Sequence, residues 1–477
     1  MFLLCKDSAS RDQNKKKFVL ARRSLSSRPL GLNVVQAETK TKKNLFWRDN
    51  RNFYIHTFCG NFALVFALMM KQQAIYYHTL PNGLRMVHVA TTASVAWCGL
   101  AINAGSRDER DGQFGLAHFV EHTIFKGTTH RRAHNIGCRM ERVGGELNAY
   151  TTKEATMLYS VFPAQHLARA VELIADLVMY SVFPADELTR EMDVVLEEVA
   201  SYRDTPAEAA YDDFEDIAFA GSGFGHNILG CEEHVRAFTS QHCMEYLKEQ
   251  YVPSNMVFFS VGPGRPDGVF RLVENHMGAM HHRLQRSPRL APALQPVRHE
   301  VMTIGAHQAH TVMGARLPGM YHTSRHALML LNNILGGPGM NALLNVEMRE
   351  KRGYVYTVES SLTLFTDCGL MEIYFGCDHA DVAASRRIVQ RVIDKLASTP
   401  LSERALTAHK RQYCGGLLVS ADSTEFVAMN AARNLLFHNH VSTVDETMER
   451  IMAVTPAQLS QAAELLAGDR LSSLTLK

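Results

Sequence analysis

The chain has 477 residues, 46% apolar and 21% charged, with a formal net charge of +2. Such a length exceeds one ordinary domain and supports two hydrophobic cores in a globular protein, and the charge balance gives no reason to expect a nucleic-acid or acidic partner. The nine cysteines (5, 59, 98, 138, 231, 243, 368, 377 and 414) are scattered, odd in number and free of Cys-x-x-Cys pairs, which argues against a disulfide scaffold or a cysteine-based zinc site and for reduced packing thiols.

Residues 1–70 differ from the rest. Met1 to Arg51 is rich in Lys and Arg, poor in acids, and sustains no amphipathic period. The apolar run Phe62 to Met70 has nine residues, well short of the roughly 20 that span a bilayer, so no stable membrane insertion is expected. The segment reads as an upstream extension outside the mature fold, with the working protein starting at Met69 or Met70. A mitochondrial transit peptide is the alternative, on the Arg/Ser-rich stretch Ser8 to Arg28.

From residue 71 the pattern becomes orderly. Ile75 to Val89 reads as a hairpin around Pro81-Asn82-Gly83, and Ser94 to Ala104 as a strand closed by Gly105. Leu116 to Phe125 and Ile136 to Val143 read as helices, the second ended by Gly144-Gly145. Glu146 to Phe162 alternates as a strand pair, and Ala164 to Tyr180 and Asp186 to Arg203 are periodic helices. Gly- and Pro-rich sequence after Gly262 suggests an interdomain connection over 266–299, between a 71–265 domain and a 300–477 domain. The order then repeats. A strand pair near Val301 and over Thr311 to Leu317 precedes a helix from Ser324 to Leu335. Strands near Tyr354 to Glu359 and Gly369 to Gly376 follow, then helices from Asp381 to Leu396 and Ser402 to Val419. The expectation is an α+β fold of two similar domains, each an antiparallel sheet covered by helices, arising by duplication.

One motif carries chemistry: His118-Phe-Val-Glu121-His122. At about 100° per residue the two histidines lie on one helix face, spaced to bind one metal ion, and Glu121 sits one turn from His118, placed to accept a proton from an activated water. The bland alternative is a polar helix face. A peptidase zinc site needs a third ligand. In the Asp186 to Arg203 helix, Glu191 and Glu198 are seven residues apart on one face, with Glu197 off it; an ordinary acidic surface is the competing reading. Among the other histidines, those at 281, 282, 307, 310, 438 and 440 show no convincing ligand spacing with a nearby acid.

Several stretches together resemble the inverted-motif zinc peptidase family that includes pitrilysin, insulin-degrading enzyme and the mitochondrial processing peptidase. They are Gly105-Ser-Arg-Asp-Glu109, Gly115 to Thr128, Gly144 to Glu154, Val194 to Glu198, Leu335 to Met340 and Arg349 to Tyr356. The likeness runs from about residue 75 to the end and is nearest to short bacterial two-domain members. It implies one zinc ion per chain, held by His118, His122 and Glu198, with Glu121 as general base and Glu191 as an assisting carboxylate. It further implies that Asn148 and Ala149 receive substrate as an added strand, and that Arg349 and Tyr356 hold the substrate backbone and stabilise the oxyanion. The activity implied is a zinc metalloendopeptidase acting on unfolded or extended peptides, a homodimer in a bacterial cytoplasm. The alternatives are the catalytic subunit of the mitochondrial processing peptidase, in the matrix with a partner subunit, and a non-catalytic family subunit. The latter have lost residues of the zinc set, all of which stand here. A lyase sharing the His-x-x-Glu-His site is a much shorter, single-domain enzyme.

Overall fold

The computed structural model describes residues 74–280 and 288–477. The expectations for residues 1–70 and for His281 and His282 lie outside them. The first half contains strands β1 (Ala74–Thr79), β2 (Arg85–Ala90), β3 (Val95–Ile102), β4 (Glu146–Thr151), β5 (Thr156–Pro163) and β6 (Met256–Gly262). Its helices are α1 (Leu116–Thr123), α2 (Ala133–Glu141), α3 (Leu167–Tyr180), α4 (Ala185–Arg203), α5 (Pro206–Ala218), α6 (Glu232–Ala237), α7 (Ser240–Gln250) and α8 (Pro266–Met277). The strands form one sheet in the order β1-β2-β6-β3-β5-β4. The expected hairpin is present, Ala74 opposite Ala90 and Thr79 opposite Arg85.

No element was expected between Arg203 and Gly262, yet β6 is central to this sheet. Its sequence Met256-Val-Phe-Phe-Ser-Val-Gly262 is a continuous apolar run because the strand is buried on both faces. Met256 and Phe258 join the core beneath the helices of the first half. Val257, Phe259 and Val261 join a second core on the opposite face, following the two-residue period of a strand. The expected connection over 266–299 is also corrected at its start. Pro266–Met277 is helix α8, with Pro at its first position and Val269, Phe270, Val273 and Met277 buried in the first core. Proline is compatible with a helix's first turn, so a proline-rich stretch did not mean a linker there.

The second half contains β7 (His299–Met302), β8 (Ala309–Leu317), β9 (Val355–Leu364), β10 (Gly369–Cys377) and β11 (Ser472–Leu476). Its helices are α9 (Arg325–Gly336), α10 (Val382–Ser398), α11 (Glu403–Ala421), α12 (Thr424–His438), α13 (Val444–Met452) and α14 (Pro456–Glu464), with a one-turn π-helix at Asn345–Glu350. The sheet order is β7-β11-β8-β10-β9. The strands near Val301 and Thr311 are therefore not a pair: β11, from the chain's last residues, lies between them, parallel to β7 and antiparallel to β8.

This order matches β2-β6-β3-β5-β4 of the first half strand for strand. The parallel pair β2–β6 corresponds to β7–β11, and every other pair is antiparallel in both. The duplication expected from the repeated layout is thus present in the topology. The halves also exchange helices. Ala210, Phe214 and Ala218 of α5 pack with Val312, Leu370 and Leu474 of the second sheet. Conversely, Ala428, Ala431, Ala432 and Leu435 of α12 pack with Val87, Val257 and Phe259 of the first.

Candidate metal centre

Helix α1 buries Leu116, Ala117, Phe119, Val120 and Thr123, which pins its register and turns His118 and His122 to one side. Gly115 precedes it at φ +97°, and a Cβ there would stand 2.7 Å from the Leu229 carbonyl oxygen, so both backbone sign and space call for glycine. Helix α4 lies against α1. Its buried stripe of Leu188, Glu191, Val195 and Val199 carries Glu191 inward and sets Glu198 beside it, whereas Glu197 is exposed.

The two helices bring the expected donors together. His118 Nε2 lies 3.7 Å and His122 Nε2 3.5 Å from one Glu198 oxygen, Oε2. Donors about 2.0–2.2 Å from a tetrahedral zinc ion stand about 3.4 Å apart, so the spacing suits that ion. The imidazoles meet edge-on with centroids 4.5 Å apart, and Glu121 offers an oxygen within 4.8 Å of a ring nitrogen of each histidine. Burial, with His122 adding to it, pushes the His118 pKa down to about 3, so its ring is the neutral form that ligates metals. Glu121 Oε2 is buried without a hydrogen-bond partner, a costly arrangement unless a ligand completes it. The residues present therefore fit a zinc ion.

Glu191 and Glu121 take different roles. Glu191 Oε1 sits 3.0 Å from His122 Nδ1 and Oε2 sits 2.5 Å from Lys126 Nζ. Burial alone would raise the Glu191 pKa, but His122 and Lys126 bring it below the ordinary value. An ionised Glu191 keeps the His122 proton on Nδ1 and leaves Nε2 as a lone pair facing Glu198. Burial also opposes charge on His122, but the Glu191 hydrogen bond and the surrounding carboxylates outweigh it and raise its pKa. Glu121 goes the other way: desolvation, with the Glu198 charge adding, raises its pKa despite hydrogen bonds to Thr151 and the His122 charge. A carboxylate whose proton affinity is raised in this way is a better proton acceptor, which suits general base work.

Thr151 ends β4, and β4 ends the sheet order, so its outer edge pairs with no described strand. Asn148 is exposed and Ala149 half-buried on this strand. Arg349 and Tyr356 lie on the second half, Arg349 exposed on the π-helical turn and Tyr356 on β9 with 73% of its surface free. Neither is among the groups gathered around His118 and His122. Sequence reasoning missed Lys126, Thr151 and Glu109. Lys126 could have been found as the residue one turn beyond His122. Glu109 is buried and accepts from the N–H groups of Gly115 at 2.9 Å and Ala117 at 2.7 Å, at the start of α1.

Duplicated α+β halves with a His-His-Glu donor set in the first define a metallopeptidase type of scaffold. Residues 85–232 match the family described as Insulinase (Peptidase family M16), and residues 237–413 the Peptidase M16 inactive domain. An uncharacterised zinc protease of Mycobacterium leprae is 32% identical over 407 residues, spanning 83% of this chain and 90% of the relative. The mitochondrial-processing peptidase subunit beta of Bos taurus is 29% identical over 391 residues, 79% of this chain and 78% of its own. A protease of known structure from Helicobacter pylori superposes with TM-score 0.79 at 22% identity, covering 85% of this chain and 99% of that one. The chain belongs to the M16 (insulinase) peptidase family.

Proposed function

We propose that the protein is a zinc metalloendopeptidase that hydrolyses unfolded or extended peptides. The observation that carries the reading is the convergence of His118 Nε2 and His122 Nε2 on Glu198 Oε2, with the desolvated Glu121 beside them at the end of an open strand edge. A zinc ion held by these three residues would supply a Lewis acid that polarises the scissile carbonyl and acidifies water. The chain's own residues do the rest. Glu121 takes a proton from the attacking water and returns it to the leaving amine, while Glu191, steadied by Lys126, fixes the His122 ring.

Substrate backbone adds to β4 beside Asn148 and Ala149, a mode that gives affinity with little side-chain demand and excludes folded proteins. Arg349 and Tyr356 serve the substrate backbone and the oxyanion from the second half. The seven described cysteines are free, which suits a reducing compartment. With its bacterial relatives, the proposal is a homodimer with one zinc per chain in a bacterial cytoplasm. The similarity to a processing-peptidase beta subunit keeps a partner-dependent enzyme as the second reading.

The test is cleavage of a quenched-fluorescent unstructured peptide by wild type, Glu121→Gln and chelator-treated protein, with zinc counted in each. Glu121→Gln is expected to keep its zinc and lose about 10²–10⁴-fold in kcat. Full activity in zinc-loaded Glu121→Gln would remove Glu121 as the base. Inactive zinc-loaded wild type that gains activity on addition of a processing-peptidase alpha subunit would favour the second reading.

A further inference from the structure

The segment Gly105-Ser-Arg-Asp-Glu109 joins β3 to the metal helix, and the chemistry just described uses none of it. Its three charged residues point to three parts of the molecule. Arg107 is buried, pairs with Glu154 in the β4–β5 turn, and donates to Asp367 in the β9–β10 turn at 3.2 and 2.8 Å. Its Nη2 also donates to the Leu290 carbonyl at 3.1 Å. Asp108 accepts from Arg289 Nε at 2.8 Å and Nη2 at 2.6 Å; Arg289 and Leu290 lie in the connection between the halves. The β9–β10 turn tightens the knot from its own side, with Thr366 N and Oγ1 donating to Glu154 at 2.8 and 2.6 Å.

Glu109 is the third outlet, and it ends on α1. That helix has eight residues, and its N-cap Gly115 has no side chain to cap it. The first N–H groups of a helix have no intrahelical acceptor. Glu109 serves those of Gly115 and Ala117, and a carboxylate there also suits the helix dipole. Burial and a 3.0 Å contact with His226 Nε2 fix the carboxylate in place. His118 is the third residue of α1, so the turn that Glu109 caps is the turn that aims His118. His122 stands one turn on, steadied separately by Glu191.

We infer that Arg107, Asp108 and Glu109 are positioning residues that couple docking of the second half to the placement of the metal donor His118. This rests on the zinc reading above. On this account the second half does more than face the substrate: its Asp367 turn helps hold a metal ligand in the first half.

The experiment follows transfer of bound zinc to an excess of chelating dye from full-length protein, beside circular dichroism and the thermal midpoint. Asp367→Asn is expected to release zinc about tenfold faster, the scale of loss seen when groups behind a ligand are removed. Glu109→Gln should release it at least as fast, and the double variant no faster than Glu109→Gln alone, because both act through one cap. Ser360→Ala, which removes a 2.8 Å hydrogen bond to the Asn332 carbonyl within the second half, should release zinc at the wild-type rate. Zinc release at the wild-type rate from folded Asp367→Asn would overturn the coupling. Equal acceleration in Ser360→Ala would also overturn it, by reducing the effect to general destabilisation. If Asp367→Asn does not fold, Asp108→Asn, which loosens the hold of Arg289, carries the same expectation and the same refutation. Wild type that binds no zinc would sink the zinc reading itself, a different result from zinc bound but uncoupled.

Discussion

The two halves repeat one another down to single hydrogen bonds, yet among the described residues only the first gathers a group of side chains that could hold a metal ion. The β4–β5 turn closes with Thr152 N donating to Ala155 O, and the β9–β10 turn with Phe365 N donating to Cys368 O, both at 2.8 Å. Ser106 N donates to Thr152 O and Met320 N to Phe365 O, the equivalent carbonyls. Each donor follows a glycine, Gly105 or Gly319, at which a Cβ would fall 2.1 or 2.9 Å from the same carbonyl oxygen. Beyond that point the copies part. The first half continues with Arg107-Asp108-Glu109 and then α1 with His118, Glu121 and His122. The second continues with Tyr321-His322-Thr323 and then α9, whose buried residues include Leu328, Leu330, Leu331, Ile334 and Leu335. Helix α4 carries Glu191 and Glu198 along its length, whereas α11 has a single acid, Glu403, in its first turn. Frame and chemistry are therefore separable: sheet order, turns and close glycines maintain the scaffold, and a few polar substitutions on two helices make a site.

Unequal effects of matched substitutions would test that separation. The largest difference is expected between His118→Ala and Asn333→Ala on α9. The first should lower zinc affinity by more than about 100-fold, since even partners behind a ligand cost about 10–100-fold; the second should leave zinc content and turnover at wild-type levels. Loss of zinc from Asn333→Ala in a chelator competition would show that the second half shares in the site directly. Next in size is Glu191→Gln. It keeps the shape but loses the charge that holds the His122 proton on Nδ1, and should weaken zinc by about 10–100-fold while leaving the fold intact. Unchanged zinc affinity in that variant would demote Glu191 to a partner of Lys126 alone.

Much of this was legible in the sequence, for identifiable reasons. Amphipathic elements with one buried face, such as α3 and α4, show their period directly, and the β1–β2 hairpin announces itself through Asn82-Gly83. β6 did not, because burial on both faces erases alternation, and its place between β2 and β3 is set by contacts far apart in sequence. β11 was hidden for a similar reason: five residues at the end of the chain that complete a sheet begun at β7. In the site, His118, Glu121 and His122 are legible because they share one short helix. Glu198 needed the family resemblance to be picked from an acidic helix, and the structure sets it opposite both Nε2 atoms. Glu109 escaped because the backbone N–H groups it serves leave no residue pattern and its side-chain partner, His226, is far away in sequence.

The last expected effect falls on stability rather than on zinc, concerns acid sensitivity and also divides the halves. Asp176 on α3 is buried and accepts from Thr128 Oγ1 at 2.9 Å, His130 Nδ1 at 2.5 Å and Arg131 Nη1 at 2.6 Å. The corresponding helix α10 buries Ser385, Ile388, Val389, Ile393 and Leu396 and no carboxylate. Burial raises the Asp176 pKa, but these hydrogen bonds and the Arg131 charge outweigh it and leave it below the ordinary 3.8. A carboxyl depressed on folding adds stability that is fully present above its unfolded pKa and drains away as pH falls through the folded one. Asp176→Asn should therefore cost about 1.5–3 kcal/mol at neutral pH, the range for hydrogen bonds to a charged group. The gap from wild type should shrink steadily once pH drops below 3.8. Hydrogen exchange read peptide by peptide would locate it, with faster exchange in α3 and the Thr128–Arg131 turn at neutral pH and none of it in α10. A gap that stays constant into acid would mean that Asp176 contributes through shape and neutral hydrogen bonding rather than through its charge.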